Sequence, residues 1–342
     1  MINVGLVGFG LAGKVFHAPF IRAVPGLRLV AIARRNAQPD PAYPDVRFVS
    51  GVEQLLEIDD LQLIVVATPN EFHAPIAREC LNAGRHVVID KPFATTLREA
   101  EEVVATACQR DRIVTVFQNR RWDGDFKTVR KLLAEGSLGR VVLYESHFDR
   151  FRPHLRGTWH ERPQPGMGLL FDLAPHLVDQ TLVLFGKPDS VSADLRKERD
   201  GTLVEDAFDI VFHYPRLRAV LRATAVAAAP GPRYWICGTE GTFTKYGLDP
   251  QEDAMQHCGD LTANCWGEEP KSAWGQLTTS AGTQPIQTLA GDYRGYYENI
   301  RDAILGTAPL EVTSEQALDV MLGLDLAQQS SSAACRMTWP KV

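Results

Sequence analysis

The feature that most constrains this chain is a glycine turn between a strand and a helix at its start. Residues 2–8 form a short apolar run of strand character. Gly8-Phe9-Gly10-Leu11-Ala12-Gly13 follows. Residues 13–24 then carry Val15, Phe16, Ala18, Ile21 and Ala23 at helical spacing, with Pro19 early in the run, where it is best tolerated. Residues 27–33 read as a second strand. In such a βαβ unit the first glycine permits the tight turn. The second lets the backbone approach a pyrophosphate, and the third lets helix pack on strand. The free N–H groups of the helix start favour phosphate charge. Gly8, Phe9, Gly10, Leu11, Ala12 and Gly13 are therefore expected to bind a dinucleotide; the plainer alternative is a turn with only a packing role.

The alternation continues with helices at 53–58, 72–83 and 97–110 and strands at 61–67, 86–89 and 113–117. Apolar strands alternating with helices imply a parallel sheet covered on both faces. The pattern changes near residue 119. A helix at 124–135 leads to a strand at 141–148 and a helix at 169–185. Strand-like runs follow at 190–195, 207–214, 218–225, 233–238 and 242–246 without intervening helices, which implies an antiparallel sheet. Residues 248–290 are rich in Gly, Pro, Thr and Gln and read as loop. Helices at 292–305 and 314–334 close the pattern. A chain of 342 residues accommodates two domains, expected at 1–119 and 120–342.

The end of the second strand bears on which nicotinamide coenzyme is used. An NAD site usually carries an acid there for the ribose 2′-hydroxyl. This chain has Ala33-Arg34-Arg35-Asn36, with no acid. Arg34 and Arg35 suit a 2′-phosphate, and Arg34 could stack on adenine. NADP(H) is expected, with NAD(H) the second choice; two solvated loop arginines are the bland alternative.

Two further constellations carry chemistry. The strand at 86–89 ends in Asp90-Lys91-Pro92, and an earlier strand ends in Thr68-Pro69-Asn70 with His73 one turn on. Ligands of open parallel sheets bind beyond the carboxyl ends of the strands, so Lys91 stands at the right rim. Pro92 restricts the backbone there and could be cis. A surface lysine before a proline is also common. The second constellation is Asp172 and His176, four apart on one face of an otherwise apolar helix. Buried polar groups need a reason, and histidine is the usual proton shuttle near neutral pH. Alternatively, Asp172 caps the helix with Pro175 in its first turn, and His176 is a core residue.

The charge balance narrows the partners. A net charge of −6 argues against nucleic acid, and Arg34-Arg35 and Arg120-Arg121 are too short for a basic patch. Six cysteines (Cys80, Cys108, Cys237, Cys258, Cys265 and Cys335) show neither CxxC nor zinc-ligand spacing, so free thiols are expected. The first residues carry no basic stretch, and no apolar run approaches ~18 residues. A cytoplasmic protein with no membrane partner is expected.

Together, the glycine turn, Thr68-Pro69-Asn70 with His73, Asp90-Lys91-Pro92, and Asp172 with His176 resemble the Gfo/Idh/MocA family of oxidoreductases in order and spacing over nearly the whole chain. The family usually has Glu where Asp90 stands, and Met167 interrupts its glycine run. Gly13-Lys14-Val15-Phe16-His17-Ala18-Pro19-Phe20, Asn119-Arg120-Arg121-Trp122-Asp123 and His147-Phe148-Asp149-Arg150-Phe151-Arg152-Pro153 are similar to its NADP-dependent scyllo-inositol dehydrogenase branch. The resemblance implies an α/β protein: an N-terminal Rossmann domain with a parallel sheet, then a C-terminal α/β domain with a large, mostly antiparallel sheet. It also implies a homodimer or homotetramer built on that sheet.

The implied reaction is reversible oxidation of a secondary hydroxyl on a cyclic polyol or sugar. His176 would take the hydroxyl proton, Lys91 would hydrogen-bond the same oxygen, and Asp172 would hold a neighbouring hydroxyl or orient His176. Arg120, Trp122, Arg152 and His154 are expected at the small-molecule substrate. Lysine and histidine cover the proton and charge roles, so no metal is called for. A keto-sugar or other carbonyl reductase with the same residues is the enzymatic alternative, and a non-catalytic coenzyme-binding sensor the other.

Overall fold

The computed structural model describes residues 1–341 except 159, 160, 258–260 and 262. Cys258 lies outside the described residues; the other five cysteines are free. The chain divides into two compact units, one of residues 1–119, 252–264 and 293–318, the other of residues 120–251, 265–292 and 319–342.

The first unit is built on six parallel strands: β1 (Ile2–Val7), β2 (Leu27–Ala33), β3 (Arg47–Val49), β4 (Leu63–Val66), β5 (His86–Ile89) and β6 (Val114–Val116). Their order is β3-β2-β1-β4-β5-β6. Strand order reverses between β1 and β4, which opens a crevice at their carboxyl ends. Every residue of β4 is buried, as a strand covered on both faces requires. Helices α1 (Ala18–Ala23), α2 (Val52–Leu56), α3 (His73–Asn82) and α4 (Leu97–Arg110) make the crossovers. The start of α4 shows why the chain turns helical there. Thr96 accepts the Glu99 N–H at 3.2 Å, and Glu99 reaches back to the Thr95 N–H at 3.1 Å.

The second unit is built on a nine-stranded sheet. Its strands are β7 (Val141–His147), β8 (Ser190–Arg196), β9 (Ala207–His213), β10 (Arg218–Thr224), β11 (Tyr234–Gly238), β12 (Gly241–Lys245), β13 (Gly275–Thr279), β14 (Gly282–Ile286) and β15 (Met337–Thr338). Their order is β14-β13-β12-β11-β7-β10-β9-β8-β15, antiparallel except where β7 meets β10. Helix α5 (Gly124–Ala134) precedes β7, and α6 (Leu169–Phe185) packs on β9 and β10. Ala219, Leu221 and Ala223 of β10 are buried, while Arg218 and Arg222 are exposed and Val220 and Thr224 half-buried. This alternation is the mark of a sheet with one face in the core. Both sheets match the expected fold class.

One expectation fails. Residues 248–290, read as loop, hold the helix α7 (Gln251–Gln256) and the β13–β14 hairpin. Thr, Gln and Gly replace apolar residues there because β14 is an edge strand, exposed for most of its length, where Pro285 is tolerated. Helices α8 (Arg294–Ile304) and α9 (Ser314–Ala333) fall where expected, but β15 after them gave no apolar signal because it has two residues.

Candidate active site

In the first unit the three glycines meet three different demands. Gly8 has φ +96°, and a Cβ there would lie 2.2 Å from the Ala67 carbonyl oxygen. A Cβ on Gly13 would lie 2.3 Å from the Gly8 carbonyl oxygen. A Cβ on Gly10 would meet nothing within 4 Å. The backbone at Gly10 is therefore open from outside, the fit a pyrophosphate requires. Phe9 is buried, Leu11 exposed and Ala12 half-buried.

Arg34 is half-buried, its guanidinium 4.8 Å from the Phe48 ring centroid and 5.7 Å from that of Phe9. Arg35 is exposed. Lys14 stands 5.1 Å from the Phe9 centroid and pairs with Asp40 at 3.2 Å. The Ala42 N–H and Lys14 hold the Asp40 carboxyl below the usual range. Sequence reasoning missed both residues. Lys14 directly follows the glycine turn and so could have been found; Asp40 lies in an irregular segment with no periodic signal.

Across the same carboxyl-end rim, Asn70 opens a short 3₁₀ turn at Asn70–Phe72, and His73 starts α3. Expected at the coenzyme, His73 is instead buried between two carbonyls, its Nδ1 2.7 Å from the Pro92 oxygen and its Nε2 2.8 Å from the Thr68 oxygen. Burial lowers its pKa, and a neutral ring donates to one carbonyl at a time. His73 thus braces the Thr68-Pro69-Asn70 rim against the Lys91–Pro92 corner. The Lys91–Pro92 peptide is cis, and Lys91 is half-buried. Asp90 Oδ1 accepts the Lys91 N–H at 2.8 Å.

In the second unit α6 begins after Gly168, which adopts φ +85°. The capping alternative for Asp172 is therefore excluded: Asp172 lies inside the first turn, and Pro175 falls within the helix. Pro175 donates no bond to the Phe171 carbonyl. His176 is buried, and Asp172 is half-buried with its Oδ2 3.2 Å from Arg150 Nη1. Arg121 binds Asp179, one turn beyond His176, through Nε at 2.8 Å and Nη2 at 2.6 Å. Gln180 donates to the Arg120 carbonyl at 2.8 Å and accepts from Arg233 at 2.8 Å and Tyr234 at 3.0 Å. Sequence reasoning missed this polar anchoring because its partners lie far apart in the chain.

The four substrate candidates differ in setting. Arg120 is buried, 3.3 Å from Asp123, with its guanidinium 4.8 Å from the Phe148 centroid. Trp122 is half-buried, and its carbonyl accepts the Asp292 N–H at 3.0 Å. Arg152 and His154 are exposed after β7; the Arg152 N–H donates to the Ala225 carbonyl at 2.6 Å. Arg199 reaches the His154 carbonyl at 3.5 Å. Among the described residues, no group of three or more His, Cys, Asp or Glu is placed to hold a metal ion. No described helix is long and apolar enough to cross a membrane.

Residues 2–118 match the model of the oxidoreductase family, NAD-binding Rossmann fold, and residues 130–337 that of its C-terminal alpha/beta domain. The chain is 43% identical to the uncharacterized oxidoreductase YdgJ of Escherichia coli over 96% of each chain. It is 35% identical to IolW of Bacillus subtilis, a scyllo-inositol 2-dehydrogenase (NADP(+)), over 96% of this chain and 94% of that one. The solved structure of yvaA from Bacillus subtilis superposes with a TM-score of 0.96 at 34% identity, covering 99% of this chain and 98% of the other. With both family domains matched in order along one chain, the protein belongs to the Gfo/Idh/MocA family of oxidoreductases.

Proposed function

We propose that the protein is an NADP(H)-dependent dehydrogenase that reversibly oxidises a secondary hydroxyl of a cyclic polyol or sugar to the ketone. The observation that carries the coenzyme choice is Arg34, held over Phe48 and Phe9 at the end of β2, where no acid follows on the strand. A planar cation there suits a 2′-phosphate and an adenine face. The coenzyme supplies and accepts the hydride. Gly8 to Gly13 seat its pyrophosphate, and Thr68, Pro69, Asn70 and Asp90 line the rim beyond the strands.

His176 takes the hydroxyl proton during oxidation and returns it during reduction. Lys91 donates a hydrogen bond to the same oxygen, where negative charge develops. Asp172, held by Arg150, binds a neighbouring hydroxyl or orients His176. Arg120, Trp122, Arg152 and His154 contribute further contacts to a polyhydroxylated substrate. IolW's activity supports this substrate class.

Asp40 favours a second reading of the coenzyme, because it places a carboxylate on Lys14, close to the same end of β2. KM values for both coenzymes separate the two: the proposal expects NADP(H) to be preferred, and a clear NAD(H) preference overturns it. A keto-sugar reductase would use the same residues, and a substrate panel run in both directions distinguishes it. We place the protein in the cytoplasm. We also propose a homodimer or homotetramer formed through the outer face of the nine-stranded sheet, where Trp235 is exposed opposite Glu145. Sedimentation of a monomer would refute that assembly.

A further inference from the structure

Phe148, the residue after β7, has three arginines around its ring. The Arg120, Arg150 and Arg233 guanidiniums lie 4.8, 5.4 and 5.5 Å from its centroid. Each arginine faces a carboxylate. Arg120 lies 3.3 Å from Asp123 and Arg233 3.6 Å from Asp125, and these four side chains are buried. The third pair differs. Arg150 Nη1 donates to Asp172 Oδ2 at 3.2 Å, and the two side chains keep 21% and 27% of their surface exposed. One pair of the three thus opens to solvent, and it includes the carboxylate proposed above to act on a substrate hydroxyl.

The backbone of Arg150 is pinned on both sides. Its N–H donates to the Thr224 carbonyl at 2.9 Å, and its carbonyl accepts the Ala227 N–H at 3.1 Å. The Phe148 ring steadies the guanidinium. A guanidinium carries five N–H donors and a carboxylate about four acceptor sites, so the bond between them leaves capacity on both. A half-exposed ion pair contributes little stability, so Arg150 can be exchanged without unfolding the protein. Adjacent hydroxyls on a ring hold their oxygens about a hydrogen-bond length apart. One can donate to Asp172 while its neighbour accepts from Arg150. Asp172 and His176 share one face of α6, so a diol held by the pair lies on the face that carries the proposed base.

We propose that Arg150 is a specificity-determining residue: with Asp172 it forms a receptor for two adjacent ring hydroxyls, Asp172 accepting from one and Arg150 donating to the other. This deepens the polyol reading above and rests on it. The pair favours ring polyols over simple secondary alcohols, which leave its buried-side donors and acceptors unmatched.

One arm of the test needs no turnover. Phenylglyoxal modification of Arg150 is followed by peptide mass spectrometry in protein with NADP⁺, with Arg98, whose side chain is 85% exposed, as the internal standard. At twice its dissociation constant, scyllo-inositol or D-glucose should slow Arg150 modification about threefold relative to Arg98. Cyclohexanol, which has no second hydroxyl, should not. In steady state Arg150→Gln should raise KM for the polyol at least about tenfold, the loss of a hydrogen bond from a charged group, and change kcat less than about threefold. Arg150→Lys keeps the charge without the planar fork and should fall between Arg150→Gln and wild type. An Arg150 that only steadied Asp172 would instead lower kcat and leave KM near wild type. Thermal unfolding midpoints report folding. Arg150 modification that neither polyol slows overturns the proposal, whether or not any polyol is turned over. Equal protection by cyclohexanol overturns it too, as does an unchanged KM in folded Arg150→Gln. Protection of Arg150 without turnover of any polyol would keep the diol receptor and remove the dehydrogenase.

Discussion

Arg121 and Asp179 form a two-point ion pair, with Nε 2.8 Å from one carboxylate oxygen and Nη2 2.6 Å from the other, and both side chains are buried. Asp179 is three residues past His176 on α6, so the pair ties the helix that carries the proposed base to the segment after β6. Removing one member leaves an uncompensated buried charge. Asp179→Ala should therefore destabilise the fold by about 3 kcal/mol or more. Urea unfolding checks this, and a loss below about 1 kcal/mol would mean that the pair is not anchoring α6.

His176→Ala should lower kcat at least about 100-fold, the lower end of what positioned acid–base catalysis contributes, while coenzyme affinity stays near wild type. Steady-state rates and a coenzyme titration on the same preparation check both halves. An unchanged kcat removes His176 from the reaction.

Arg34→Ala should weaken NADP(H) binding by about tenfold or more, the loss of one charge-assisted phosphate contact of about 1.5–3 kcal/mol, and leave NAD(H) binding nearly as it was. Asp40→Ala should act in the opposite sense, since it frees Lys14 for a phosphate. Equal losses for both coenzymes in Arg34→Ala would show that Arg34 only packs on Phe9 and Phe48.

The glycine turn was legible because each of its glycines answers a local backbone demand. Gly8 needs a positive φ, and Gly8 and Gly13 both need room against a carbonyl oxygen. Helix α6 was legible because it is continuous and apolar. The β13–β14 hairpin was not, because exposure removes the apolar alternation that marks a strand. Lys91 could be placed at a strand end from sequence alone, but the bracing of that corner could not. His73 meets Pro92 across 19 positions and His17 meets Tyr297 across 280, and no local pattern encodes such pairs.

Asp249 gives stability a pH dependence that can be isolated. Burial first, and the nearby Asp125 charge second, push its carboxyl up to about 6, well above the ordinary aspartate range near 3.8. A raised carboxyl pKa means the folded state binds the proton more tightly than the unfolded chain between those values. The contribution of Asp249 to stability therefore falls as pH rises through that window, and is level above about 7. Asp249→Asn cannot titrate. Urea unfolding between about pH 4.5 and 7.5 should show the variant gaining on wild type by about 2 kcal/mol as pH rises. A gap that does not change with pH would contradict the raised value.

The most direct measurement is NADP⁺ reduction with a panel of cyclic polyols, and NADPH oxidation with the matching keto-sugars, by wild-type and Lys91→Met protein, followed by the absorbance of the reduced nicotinamide. Wild-type protein is expected to turn over at least one polyol–ketone pair in both directions, and Lys91→Met to do so at least about 100-fold more slowly. Coenzyme bound by wild-type protein without turnover of any member of the panel, or full activity in Lys91→Met, would contradict the proposed dehydrogenase.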